Sequence, residues 1–212
     1  MMVPKDDSEG RTVNAAKNAQ IVAAARKLFL EKGFGETSMD AIAAEAGVSK
    51  PTLYSHFKNK IALFSEIIEA TCAEIREGFE EEDYEFTTDD PPEVFLSRAV
   101  RIFARHFLHP STIDLLRVVI SESKRFPDLG DVLWESGPKY FCEVVSEQLR
   151  AYDAKGLLKV PDPDAAAREF AGILIGNLGM PHFMNLSTRP DKDELETRGA
   201  VLIGNFLSNL RT

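Results

Sequence analysis

The sequence predicts an all-α chain of about nine helices, a small helix-turn-helix head followed by a larger helical body. Three observations predict it. Apolar residues recur at helical spacing over most of the 212 residues, with no alternating strand pattern and no internal repeat. Between Thr37 and Lys60 the spacing gives a short helix, a glycine corner and a second short helix. Beyond residue 90, Pro and Gly cut the chain into segments of helical length.

Residues 1–14 are polar and mixed in charge, and read as a disordered arm. A helix follows from about Ala15 to Lys32, with Ile21, Val22, Ala25, Leu28 and Phe29 as its apolar stripe. Gly33 stops it, and Phe34 is placed to pack back beneath the next two helices. In the next helix Met39, Ile42, Ala43 and Ala46 fall at i, i+3, i+4 and i+7. Thr37 or Ser38 can cap it, and Asp40 suits its first turn. Gly47 ends it in a positive-φ corner. Ser49 can cap the second short helix, where Pro51 is tolerated because the early amides lack partners. Leu53 and Phe57 point inward. The outward side carries Lys50, Thr52, Tyr54, Ser55 and His56, then Lys58 and Lys60.

Such a pair of helices suits a DNA major groove. Thr37, Ser38, Ser49, Lys50, Pro51, Thr52, Tyr54, His56, Lys58 and Lys60 form the expected DNA-binding set. Lys50 and Thr52 are near enough the helix start to reach base edges. Tyr54 and His56 can donate to phosphates, and Lys58 and Lys60 supply charge. The runs AARKLFLEKGF, TSMDAIA, AGVS and TLYSHFKNK, in that order, resemble the tetracycline-repressor (TetR) family of bacterial transcription regulators over residues 17–65. Beyond that, only length and helical character are similar. The expected boundaries are a DNA-binding domain at 15–62 and a ligand-binding and dimerisation domain at 63–212.

The charge is divided between these parts. The whole chain carries −9, yet residues 1–65 hold nine Lys/Arg against seven Asp/Glu, and the remainder sixteen against twenty-seven. A basic head on an acidic body keeps the favourable field at the reading helix. Cys72 and Cys142 lie far apart in helical patterns and read as packed thiols, with neither a disulfide nor a metal pair. The N-terminal stretch lacks the apolar core of a signal peptide, so a cytoplasmic location is expected.

From Ile61 to about Phe79 a fourth helix keeps Phe64, Ile67, Ile68 and Ile75 on one face, a lever from head to body. Residues 80–92 are an acidic loop. Helix 5 opens at Pro91-Pro92 and breaks at Pro110. Helix 6 covers about Ser111 to Arg125. A long segment from Leu129 to Lys155 kinks at Gly137-Pro138. Helix 8 runs from about Asp164 to Asn185, interrupted near Pro181, and helix 9 from Asp191 to Leu210.

The TetR resemblance implies a cavity for a small molecule among helices 5 to 8 and a homodimer built from the last two long helices. The candidate cavity lining is Phe103, Phe107, Trp134, Tyr140, Phe141 and Phe183, with Arg117, Asn177 and His182 as polar anchors. The expected effector is an apolar or aromatic compound. Phe170, Ile173, Leu174, Leu202, Phe206 and Leu210 are the candidate interface; the alternative is that they close the core of a single chain. Gly172, Gly176 and Gly179 leave a groove for close helix approach. His106 and His109 stand three apart, but nothing nearby completes a metal site. No catalytic motif occurs, so no catalytic residue, metal or cofactor is expected.

The reading is a ligand-responsive regulator, a repressor, that binds a palindromic double-stranded operator as a dimer and leaves it when a small molecule binds. The alternatives are a constitutive DNA-binding protein without an inducer, and a helical enzyme or carrier that keeps the head as a relic.

Overall fold

The structure, a computed structural model, describes residues 8–80, 90–187 and 190–210. Among these residues every regular element is helical. The helices are α1 (Ser8–Lys32), α2 (Met39–Glu45), α3 (Lys50–His56), α4 (Lys60–Glu80), α5 (Pro92–Ile102), α6 (Pro110–Glu122), α7 (Pro127–Ser136), α8 (Pro138–Ala154), α9 (Pro163–Leu174), α10 (Met180–Phe183) and α11 (Lys192–Ser208). No described helix is long and apolar enough to cross a membrane.

The chain divides into two compact units, one running up to Glu69 and including Val118–Val132, the other made of Ala70–Arg117 and Leu133 onward. In the first unit, the head, Ile21, Ala25, Leu28 and Phe29 of α1 are buried with Ile42, Leu53, Leu63 and Phe64. Phe29, Phe34 and Phe64 pack ring against ring, centroids 5.0–5.3 Å apart, and Phe126 closes on Phe34 at 4.9 Å. Such contacts add to plain area burial, which makes this cluster the anchor of the small unit.

In the second unit, the body, α8 packs on α9 and α5 on α11. Phe95, Leu96, Val145, Leu149, Tyr152, Phe170, Leu174 and Phe206 share one core. Pro163 opens α9 behind an Asp162 cap, and Asp191 with Glu194 forms a reciprocal capping box on α11. The close approach of α11 to α5 depends on Gly199, where a Cβ would stand 2.8 Å from Val100.

Three differences from the sequence reading stand out. The first helix begins at Ser8, so residues 8–14 are helical where an arm was expected; no proline interrupts that stretch. Residues 1–7 lie outside the described residues, as do 81–89 of the acidic loop. The Gly137-Pro138 kink is a full break between α7 and α8. Two π-helical segments were not foreseen, Phe103–Phe107 after α5 and Ile175–Gly179 between α9 and α10. The second lies just before Pro181, which lacks the amide to continue an α-helical ladder.

Candidate nucleic-acid interface and effector cavity

The helix pair in the head is fixed by local chemistry. Ser38 caps α2 by accepting the Ala41 amide at 3.1 Å. At its other end the Val48 amide bonds back to the Ala43 carbonyl at 3.0 Å, a wrap that needs the φ of +62° at Gly47. Ser49 then caps α3 through the Thr52 amide, and its hydroxyl also meets the Thr52 hydroxyl at 2.8 Å. Leu53 and Phe57 turn into the core. That leaves Lys50, Pro51, Tyr54, Ser55 and Lys58 exposed, with Thr52 and His56 half-buried beside them. Tyr54 is 51% exposed on the outward side of α3. Lys50 holds Asp40 at 2.6 Å, with both side chains more than half exposed. A pair so exposed is worth at most about 1 kcal/mol, so it does little to hold Lys50 in place.

Two residues of the expected DNA-binding set have other occupations. Thr37 is 1% exposed, and its hydroxyl donates to the carbonyls of Leu28 and Gly33. Lys60 donates to the carbonyls of Phe34, Gly35 and Thr37 at 2.6, 3.2 and 2.8 Å, and lies 4.4 Å from the centre of the Phe34 ring. An ammonium has three protons, and all three are committed here. Burial pulls its pKa below the ordinary lysine value, while Glu122 pulls the other way. Glu122 grips the same turn by accepting the Gly35 amide at 2.9 Å. In this structure Lys60 is therefore a clamp on the α1–α2 turn. Glu122 was invisible to sequence reasoning, because 87 residues separate it from Gly35.

In the body an apolar cavity of about 280 Å³ opens among α4, the α5 π-segment, α6, α7, α8 and α9. Phe103, Phe107, Trp134 and Phe141 line it as expected. Phe103 and Phe107 stack at 4.6 Å. Thr71 and Cys72 of α4, Leu115 and Leu116, Cys142 and Arg168 line it too, and the sequence reading missed them. The remaining expected residues are elsewhere. Arg117 donates to the carbonyls of His182 and Phe183 and pairs with Asp114, which ties down the end of α10. Asn177 is exposed and donates to the Ile173 carbonyl. Phe183 packs edge-on against Phe107, outside the lining, and Tyr140 is also outside it. His182 lines a wider cleft of about 810 Å³ beside α5 and α11, with Arg101, Arg105 and Glu196. Burial raises the Cys142 thiol pKa, partly offset by the charge of Arg168.

Of the expected interface residues, Phe170, Leu174 and Phe206 are 0–2% exposed within one chain and belong to its own core. Ile173, Leu202 and Leu210 are half-buried against that core. The open positions on these helices are others: Gly172, Gly176 and Gly204 have nothing within 4 Å of a Cβ position, and Val201 is 59% exposed. Gly179 is closed, packed against Phe183 and Phe103.

A capped helix pair with a polar reading helix, together with a separate helical body, is the build of a helix-turn-helix DNA-binding regulator. Comparison with known proteins agrees. The family model described as "Bacterial regulatory proteins, tetR family" matches residues 21–67, and that of the "AefR-like transcriptional repressor, C-terminal domain" matches residues 95–207. The chain belongs to the TetR family of transcription regulators. The regulator UidR of Escherichia coli is 37% identical over 151 residues, 69% of this chain and 71% of UidR. EthR of Mycolicibacterium smegmatis is 29% identical over 133 residues, 62% of this chain. The match spans 60% of EthR, and only 26% of the activator FasR from the same organism. Among solved structures, the flavonoid-responsive regulator FrrA is 31% identical with a TM-score of 0.77, covering 93% of this chain and 98% of FrrA. A TetR-family regulator from Mesorhizobium loti is 27% identical with a TM-score of 0.76, covering 94% and 98%.

Proposed function

We propose that this regulator is a repressor that binds a palindromic operator as a homodimer and is released by a small apolar or aromatic molecule. The observation that carries the reading is the cavity wall. Helix α4 supplies Lys60 to the clamp in the head, and Thr71 and Cys72 to the lining of an apolar cavity in the body. A ligand there touches the helix that also secures the reading unit. Coupling then requires only that the ligand bind two conformations of α4 with different affinity.

Base readout falls to Lys50 and Thr52. Phosphate contact falls to Tyr54, His56 and Lys58, with Ser38, Ser49 and Pro51 setting the geometry of the two helix starts. The open glycines Gly172, Gly176 and Gly204, with exposed Val201, favour a second copy of the chain along α9 and α11. A twofold assembly matches a twofold operator. The repressor description of the body's family and the flavonoid response of FrrA favour the direction of control and the effector type. A direct test titrates the protein onto a duplex enriched from random DNA and then adds aromatic compounds. Release by at least one compound that also fills the cavity supports the reading. DNA binding that responds to salt alone, with no sequence preference, supports the constitutive alternative.

A further inference from the structure

The apolar cavity has one charged residue in its wall, Arg168 of α9. Among the described residues it makes no hydrogen bond and no ion pair. Its natural partner on the helix would be Asp164, four residues earlier. That carboxylate is engaged by Arg150 at 3.3 Å and by the Ser146 hydroxyl. Four residues later stands Gly172, which has no side chain to cover the guanidinium and itself lines the cavity. Helical spacing puts residues 168, 171, 172 and 175 on one flank of α9, and all four line the cavity. Phe170 and Leu174, on the opposite flank, fill the core. The charge of Arg168 also reaches the Cys142 thiol, another lining group.

Arg168 is exposed, so water solvates its guanidinium while the cavity is empty, and no protein group competes with an incoming anion for it. Its planar fork matches carboxylate, sulfonate and similar oxyanions with two parallel bonds. The stem methylenes can lie along the wall while the fork stays at the rim. The cavity, about 280 Å³, is at the lower edge of what small-ligand sites use. Its stacked Phe103 and Phe107 and its flat Trp134 and Phe141 favour rings over a long chain.

Resting on the effector-cavity reading above, we propose that this cavity selects a compact ring compound bearing one anionic oxygen group, with Arg168 as the anion anchor. The apolar body of the ligand takes the aromatic pocket, and its anion meets the guanidinium at the rim. A neutral compound of the same shape fills the pocket without that bond and binds more weakly.

Trp134 is the chain's only tryptophan and lies on the cavity wall, so energy transfer from it reports occupancy. The probes are 1-anilinonaphthalene-8-sulfonate and N-phenyl-1-naphthylamine, the same rings with and without a sulfonate, titrated into the full-length protein. The sulfonate probe should saturate at one per chain and bind about tenfold or more tighter than the neutral one. Arg168→Gln should erase that preference while leaving the neutral probe within about twofold, and Arg168→Lys should keep part of it. Equal affinities in the unaltered protein, or a preference that survives Arg168→Gln, would overturn the anchor while the cavity stands. If neither probe draws energy from Trp134 nor shields Cys142 from alkylation, the effector-cavity reading fails and takes the anchor with it.

Discussion

The head and the body use phenylalanine in opposite ways. In the head Phe29, Phe34 and Phe64 pack ring against ring, and Phe126 closes on Phe34. In the body Phe103, Phe107 and Phe141, with Trp134, stand around a space of about 280 Å³. A filled cluster fixes one geometry, which a reading helix needs if its side chains are to meet base edges in register. A hollow one gives up packing energy and keeps a place for something else. Backbone regularity follows the same division: α2 and α3 of the head are short, capped and α-helical, whereas both π-segments belong to the body, and Phe103, Phe107 and Ile175 carry them into the cavity wall.

Truncating a ring in each region tests this contrast with the largest effect. Phe29→Ala should cost about 4 kcal/mol in urea denaturation and abolish DNA binding by unfolding the head. Phe107→Ala, half-buried beside an existing void, should cost no more than about 1–2 kcal/mol. Equal costs would end the distinction between filled and hollow.

The next effect separates two lysines only two residues apart. Lys60→Met should cost about 2 kcal/mol, because three turn carbonyls lose a charged donor. Lys58→Ala should leave stability within about 0.5 kcal/mol, weaken binding to every sequence and lower the salt slope by about 1. Stability unchanged by Lys60→Met would return that lysine to the DNA face.

Smaller still, Lys50→Ala or Thr52→Ala should change preference at one base position by about 1–3 kcal/mol, read by competition between related duplexes. Loss of equal size on specific and random DNA would remove both from base readout. Last, the Cys142 thiol should respond to pH later than a free cysteine. Burial raises its pKa, so in a Cys72→Ala background its alkylation rate should rise only at more alkaline pH. The neutral thiol is the form the fold favours. Its stabilising contribution is therefore present at low pH and is lost as pH rises through the raised value.

What the sequence made legible follows physical range. Ser38, Gly47, Ser49 and Pro51 act within a few residues of themselves, so their roles can be read along the chain. The same locality hid the partners of Thr37 and Lys60. Each looks like a free polar group until the fold gathers the carbonyls of residues 28–37 around it. The cavity's aromatic residues were recognisable by type, but a cavity is what remains unfilled among helices distant in sequence, so Cys72, Leu115 and Arg168 carried no signal. Wide apolar faces at Phe170, Leu174 and Phe206 could not reveal whether they meet their own chain or a second one; they meet their own.

The central claim is that two copies of the capped head read DNA together. Its most direct measurement is the sequence of duplexes enriched from random DNA by the purified protein. An inverted repeat, with half-sites one helical turn or a whole multiple of it apart and two chains, or a whole multiple of two, bound per pair of half-sites, is the predicted result. An asymmetric site bound by a single chain, or no enrichment above random DNA, would contradict it.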